Sequence, residues 1–247
     1  MRGAKCAYSQ IMTTIALNFY HVRDRMLTAC VAAGRHPETV QLLAVSKMFG
    51  ADCVREAVAA GQRAFGENYI AEGAEKIVLM ADLRSQLTWH CIGPVQSNKT
   101  RLVAEHFDWV QSVDRLKIAQ RLSEQRPANL PPLQVCLQVN IDGGVNKSGV
   151  TPEALLALAQ VVLKLPRLTL RGLMMIPEPA PDFQAACAVH ARAKSVFDAL
   201  NADLLAAGAL AAPLDTLSLG MTNDLEAAIH SGSTMVRVGS AIFGRRS

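Results

Sequence analysis

Lys47 closes the apolar run Leu42-Leu43-Ala44-Val45-Ser46, where a strand would hold its stem and leave its amine at the strand's C-terminal end. An amine taken partly out of water holds its proton less tightly, and a neutral amine condenses with carbonyl compounds to a Schiff base. The same position also suits a strand-end lysine that reaches back to solvent. A second group of residues points to phosphate. Gly220-Met221-Thr222 precedes a helical stretch starting near Asn223, and Gly239-Ser240 precedes a short turn over 241–244. Backbone N–H groups at two helix starts, with the hydroxyls of Thr222 and Ser240, make a phosphate cradle. N-capping and turn formation would employ the same residue types. Arg237 suits a phosphate, a ring nitrogen or a surface ion pair.

Such residues act together only if the elements bring them to one place. Short apolar segments at 42–46, 63–66, 89–93, 109–112, 133–141, 168–176, 216–219 and 235–238 predict strands. Amphipathic, alanine-rich stretches at 53–60, 70–81, 99–106, 115–125, 152–163, 183–207 and 224–230 predict helices between them, and a further helix at 15–33 precedes the first strand. Leu42-Leu43-Ala44-Val45 and Leu173-Met174-Met175-Ile176 are apolar without interruption, as strands covered on both faces are. Strict alternation fits a doubly wound open sheet or a closed barrel. Eight strands within 247 residues favour an α/β fold of the single (β/α)₈ TIM-barrel kind, with an extra N-terminal helix. No linker or composition shift divides the chain, so 12–247 is expected to form one domain. Residues 1–11 are expected to be a flexible extension or an over-extended start.

In such a barrel the strands' C-terminal ends open on one face and build the site. That face would carry Lys47, then Gly66-Glu67-Asn68-Tyr69, Gly93-Pro94-Val95-Gln96-Ser97-Asn98-Lys99, Asn140 with the 143–149 loop, and the loops after the seventh and eighth strands. Phosphate sites in barrels are frequently built from those last two loops, which favours the phosphate reading over capping alone.

The net charge of +4 and the low aromatic content of 5% give no nucleic-acid footprint. Six cysteines at 6, 30, 53, 91, 136 and 187 form no CxxC pair and stand in no metal-ligand spacing with histidine. They read as reduced thiols of a cytosolic protein, with no metal site. No apolar run is long enough to span a membrane, and the first eleven residues do not form a signal peptide. His90, within a strand, reads as a satisfied core residue. His21, His36, His106, His190 and His230 read as surface, and no Ser-His-Asp arrangement is evident.

From about Met12 to the C-terminus the chain resembles the YggS/PROSC family of pyridoxal phosphate homeostasis proteins. The resemblance rests on Leu43-Ala44-Val45-Ser46-Lys47, Phe65-Gly66-Glu67-Asn68-Tyr69, Trp89-His90-Cys91-Ile92-Gly93-Pro94-Val95-Gln96-Ser97-Asn98-Lys99 and Asn146-Lys147-Ser148-Gly149. It rests also on Arg171-Gly172-Leu173-Met174, Leu217-Ser218-Leu219-Gly220-Met221 and the run from Met235 to Gly244. The resemblance implies a fold-type III barrel like the N-terminal domain of alanine racemase, with pyridoxal 5′-phosphate (PLP) as a Schiff base on Lys47. It implies phosphate contacts from the Met221-Thr222 loop, Gly239 and Ser240, Arg237 facing the pyridine nitrogen, and Asn68 near the ring. Two departures stand beside the site. Met48-Phe49-Gly50 replaces the family's Thr-Lys-Pro, so the loop after the lysine is expected to differ in shape or hydration. Thr222-Asn223 replaces Ser-Asp, which keeps a hydroxyl and loses a carboxylate.

The expected role is a PLP carrier without robust catalysis, acting in vitamin B6 homeostasis, with PLP and PLP-dependent apo-enzymes as partners; a weak amino-acid racemase or lyase is the alternative. Racemisation needs an acid or base on each face of the substrate. Of the tyrosines Tyr8, Tyr20 and Tyr69, only Tyr69 is expected at the barrel mouth, and no second domain is expected after the eighth strand. An arginine at the ring nitrogen would keep it unprotonated and weaken the electron sink. A barrel binding another phosphorylated metabolite is a third reading. The protein is expected to be a cytoplasmic monomer, with Lys99 and Lys147 near the mouth read as solvated lysines in preference to a second PLP site.

Overall fold

A computed structural model describes residues 13–144 and 147–244. The proposed extension 1–11, Met12 and Asn146 of the Asn146-Lys147-Ser148-Gly149 motif lie outside the described residues. The Thr13 hydroxyl accepts the Ala16 amide and starts α1 (Thr14–Ala32). There follow β1 (Gln41–Val45), α2 (Ala51–Ala59), β2 (Ala64–Glu67), α3 (Ile70–Leu79), β3 (Thr88–Cys91) and α4 (Thr100–His106). Next come β4 (Trp109–Val113), α5 (Leu116–Gln125), β5 (Leu133–Val139), α6 (Pro152–Val162) and β6 (Leu168–Met175). The order closes with α7 (Phe183–Ala206), β7 (Thr216–Ser218), α8 (Leu225–His230), β8 (Met235–Val238) and α9 (Ser240–Phe243).

The strands are parallel and pair in chain order, and β8 pairs back onto β1 through Gln41↔Met235 to Ala44↔Val238. This is the closed barrel that the count of eight favoured over an open sheet. Strand residues alternate between two cores, as the two-residue period requires. Leu42, Ala44, Phe65, Trp89, Val110, Leu217 and Val236 join the large core beneath the helices. Leu43, Ala64 and Met235 form a separate small cluster with Ile92. The apolar stripe of α1, with Ile15, Phe19, Val22, Met26 and Cys30 buried, packs on α2, α8 and α9.

Element boundaries depart from the apolar pattern where loops are built. β3 ends at Cys91 rather than 93, because the chain must pass the β2 loop there: a Cβ on Gly93 would lie 2.0 Å from the Asn68 carbonyl oxygen. β5 ends at Val139 rather than 141, because the Asn140 side-chain amide turns to the Gly144 carbonyl at 2.8 Å. Short 3₁₀ turns at Pro37–Thr39, Ala81–Gln86 and Ser97–Lys99 have no periodic signal and were not anticipated. Among the described residues no helix is long and apolar enough to cross a membrane.

Candidate functional site

The C-terminal ends of the strands open into a cavity of about 950 Å³. Lys47, Asn68, Met221, Thr222, Arg237, Gly239 and Ser240 all line it, so the fold brings the seven sequence-derived candidates together. Phe49, Ile92, Asp182, Asp224 and Glu226 are also on its wall.

Lys47 is half-buried, in a turn pinned on both sides. Before it, the Ser46 hydroxyl donates to Glu67 Oε1 at 2.6 Å, and Lys76 Nζ donates to the Ser46 carbonyl at 2.8 Å and to the same Glu67 oxygen at 2.6 Å. After it, the Met48 amide donates to Glu72 Oε1 at 2.6 Å, with Met48 in the left-handed region at φ 65°. A non-glycine residue there costs about 1–2 kcal/mol, so the Glu72 contact holds a turn the backbone would not choose alone. Burial pushes the Glu67 carboxyl above its ordinary value, against the opposing Lys76 charge. Phe49, in the departure from the family's Thr-Lys-Pro, stacks on Phe243 of α9 with centroids 5.2 Å apart. Sequence reasoning missed Glu72 and Lys76, and put Glu67 on the site face without a role. The signals were Glu67 directly before Asn68 and the four-residue spacing of Glu72 and Lys76 on α3.

The two loops read as a phosphate cradle face each other. Ser240 Oγ donates to Thr222 Oγ1 at 3.4 Å. Gly220 takes φ +87°, and a Cβ there would lie 2.4 Å from the Ala228 methyl, so only glycine brings this loop onto α8. Gly239 lies against β1, where a Cβ would stand 3.1 Å from the Val45 carbonyl oxygen. The extra helix α1 braces both loops: Arg25 donates to the Thr222 carbonyl at 2.9 Å and pairs with Glu226 at 2.7 Å, and Asn18 donates to the Ile242 carbonyl at 3.1 Å.

Arg237 is 5% exposed, which removes the surface ion-pair reading. Its guanidinium donates to the Ser218 carbonyl at 2.8 Å, the Ser218 hydroxyl at 2.7 Å and the Met175 carbonyl at 2.9 Å. Burial lowers its pKa to about 10, so it stays a cation at neutral pH. Asn68 lines the cavity, and its Oδ1 is buried without a hydrogen-bond partner.

The histidine readings divide. His90 is fully buried as expected, and burial lowers its pKa to about 3, but it is not the satisfied core residue it reads as: its Nδ1 meets Gln111 at 3.0 Å, whereas its Nε2 has no hydrogen-bond partner. His190, read as surface, is instead 1% exposed, because α7 turns it inward to Asp224 Oδ2 at 3.0 Å. Asp224 Oδ1 accepts the Met221 amide at 2.7 Å, shaping the loop beside Asn223, where the expected carboxylate is missing. Burial alone would raise the Asp224 pKa; the hydrogen bonds from His190 and Met221 and the nearby Arg237 charge outweigh it and hold the carboxyl below its ordinary value. Lys147, read as a solvated lysine, is 26% exposed and pairs with Asp142 and Glu178, each at 2.8 Å.

The family model for the alanine racemase N-terminal domain matches residues 29–247. A pyridoxal phosphate homeostasis protein of Pseudomonas aeruginosa is 58% identical over 95% of this chain and 97% of its own length. One from Escherichia coli K12 is 50% identical over 95% and 98%. The structure of PipY from Synechococcus elongatus with PLP bound superposes with a TM-score of 0.78 at 36% identity, over 93% of this chain and 100% of that one. Alanine racemase from Corynebacterium glutamicum, at 18% identity and a TM-score of 0.64 over 94% of this chain and 60% of that one, shares the fold. The chain thus belongs to the family of pyridoxal phosphate homeostasis proteins, built on the alanine racemase N-terminal domain.

Proposed function

We propose that this cavity holds pyridoxal 5′-phosphate and that the chain acts as a PLP carrier in vitamin B6 homeostasis. The observation that carries the reading is the convergence of Lys47, Arg237 and the Thr222–Ser240 hydroxyl pair on one cavity wall. The residues fit the group. Lys47 supplies the amine that condenses with an aldehyde and releases water. Met221, Thr222, Gly239 and Ser240 line the phosphate end, where first-turn N–H groups lack helical acceptors. Arg237 would hold the pyridine nitrogen, and Asn68 would contact the ring. The PLP-bound relative and the homeostasis proteins support PLP as the ligand. When bound, PLP supplies an aldehyde and a ring able to delocalise negative charge.

Carriage is favoured over turnover by what the wall's carboxylates already do. Asp182 accepts the Ala185 amide at the start of α7 at 2.8 Å, Asp224 holds His190 and the Met221 amide, and Glu226 pairs with Arg25. Each is committed to a structural partner rather than poised for proton transfer. Among the described residues no tyrosine lines the cavity; Tyr20 and Tyr69 are 45% and 51% exposed elsewhere. Arg237, charged below about pH 10, leaves a ring nitrogen unprotonated and its electron sink weak. The chain works as a cytoplasmic monomer that releases PLP to PLP-dependent apo-enzymes. Incubating PLP-loaded protein with single amino-acid enantiomers and following optical rotation tests this role. No change beyond that given by free PLP is expected, and sustained racemisation would replace the carrier with a racemase.

A further inference from the structure

Four side chains from four strands run in single file from the cavity wall into the barrel. Arg237 Nη1 donates to Ser218 Oγ at 2.7 Å, and Ser218 Oγ donates to Gln111 Oε1 at 2.7 Å. Gln111 Nε2 lies 3.0 Å from His90 Nδ1 and 3.0 Å from Met235 Sδ. Ser218, Gln111 and His90 are fully buried. As placed, the groups run in one direction. A guanidinium can only donate, so the Ser218 oxygen accepts from it and its single proton passes on to Gln111. The amide oxygen therefore faces Ser218 and the amide nitrogen faces His90. His90 Nδ1 then accepts, and the ring proton sits on Nε2. Turning Gln111 alone would set its amide oxygen against the His90 Nδ1 lone pair, and turning Gln111 and His90 together would leave the Ser218 hydroxyl proton without an acceptor; the placed direction in turn leaves His90 Nε2 buried without a hydrogen-bond partner.

We infer that His90, Gln111 and Ser218 are positioning residues for Arg237, whose chain fixes the orientation of the guanidinium at the cavity wall and so aims its donors at a ligand group presenting a lone pair there. The inference deepens the PLP reading and rests on it for the ligand's identity; the direction of the chain is a property of the protein alone. His90 thereby gains a role beyond filling the core. Stacked on Trp109 with centroids 5.0 Å apart, it is the fixed far end of the file.

The test uses the full chain labelled with ¹⁵N at histidine and arginine. Without cofactor, His90 is expected to show a pyridine-type Nδ1 and a pyrrole-type Nε2, unchanged from about pH 5 to about pH 8. Arg237 is expected to show separate Nη signals, the sign of hindered rotation. Ser218→Ala should introduce the Nδ1–H form of His90, merge the Nη signals and weaken binding of added PLP about five- to tenfold. Ser218→Thr should restore all three. Gln111→Met, similar in volume, should also merge the Nη signals. Wild-type protein should prefer PLP to its N-methylpyridinium analogue, and Ser218→Ala should lose that preference. His90 found as the Nδ1–H form in wild type, or Ser218→Ala leaving tautomer and preference unchanged, would overturn the inference. The wild-type NMR pattern in a protein that binds no PLP would uphold the file and refute the ligand.

Discussion

A buried histidine kept neutral sets a limit on stability in acid. The unfolded chain takes up a proton at His90 near its ordinary pKa of 6.5, whereas the folded chain resists until about 3. Below about pH 6.5 the unfolded state therefore binds more protons, and stability falls with pH across that window by up to about 1.4 kcal/mol per unit. Urea unfolding between about pH 4.5 and about pH 7.5 should show His90→Leu with a shallower pH dependence than wild type. Equal slopes would mean that His90 is protonated in the fold. At this scale sequence shows residue types and misses what they face. Lys47 and Arg237 were legible as a nucleophile and a cation, but the burial of Arg237 depends on β7 and β6, remote in sequence, supplying the Ser218 and Met175 oxygens. His190 was misread for the same reason, since its partner Asp224 lies 34 residues away.

At the scale of elements, the site depends on how closely adjacent loops pass. Gly93 lets the loop after β3 cross Asn68 where a methyl group would sit 2.0 Å from a carbonyl oxygen. Because the obstacle is backbone, Gly93→Ala must displace the Asn68 loop; a loss of about 1–3 kcal/mol in chemical unfolding is expected, with weakened PLP binding. Unchanged stability and binding would show that the loop yields freely. The strands were legible because hydrophobic runs between alanine-rich helices leave few assignments. Their ends were not, since Gly93 and Asn140 stop pairing through contacts with other loops. The bracing of both phosphate-type loops by Arg25 and Asn18 was invisible for a related reason: α1 reads as one more amphipathic helix until its neighbours are known.

For the whole molecule, closure of β8 onto β1 pairs Leu43 with Arg237 and brings Lys47 to the same cavity as Arg237 and Gly239, far along the chain from it. The count of eight made that closure legible before any contact was known. Light scattering coupled to size-exclusion chromatography should return the monomer mass of 26.6 kDa with and without PLP. A dimer mass would point instead to a site shared between copies. The central claim, that this barrel carries PLP on Lys47, is tested most directly by loading the protein with PLP, reducing it with borohydride and mapping the modified peptide by mass spectrometry. One reduced cofactor on Lys47, and none on Lys47→Ala, is the expected result. Modification confined to another lysine, or no stable adduct, would contradict it.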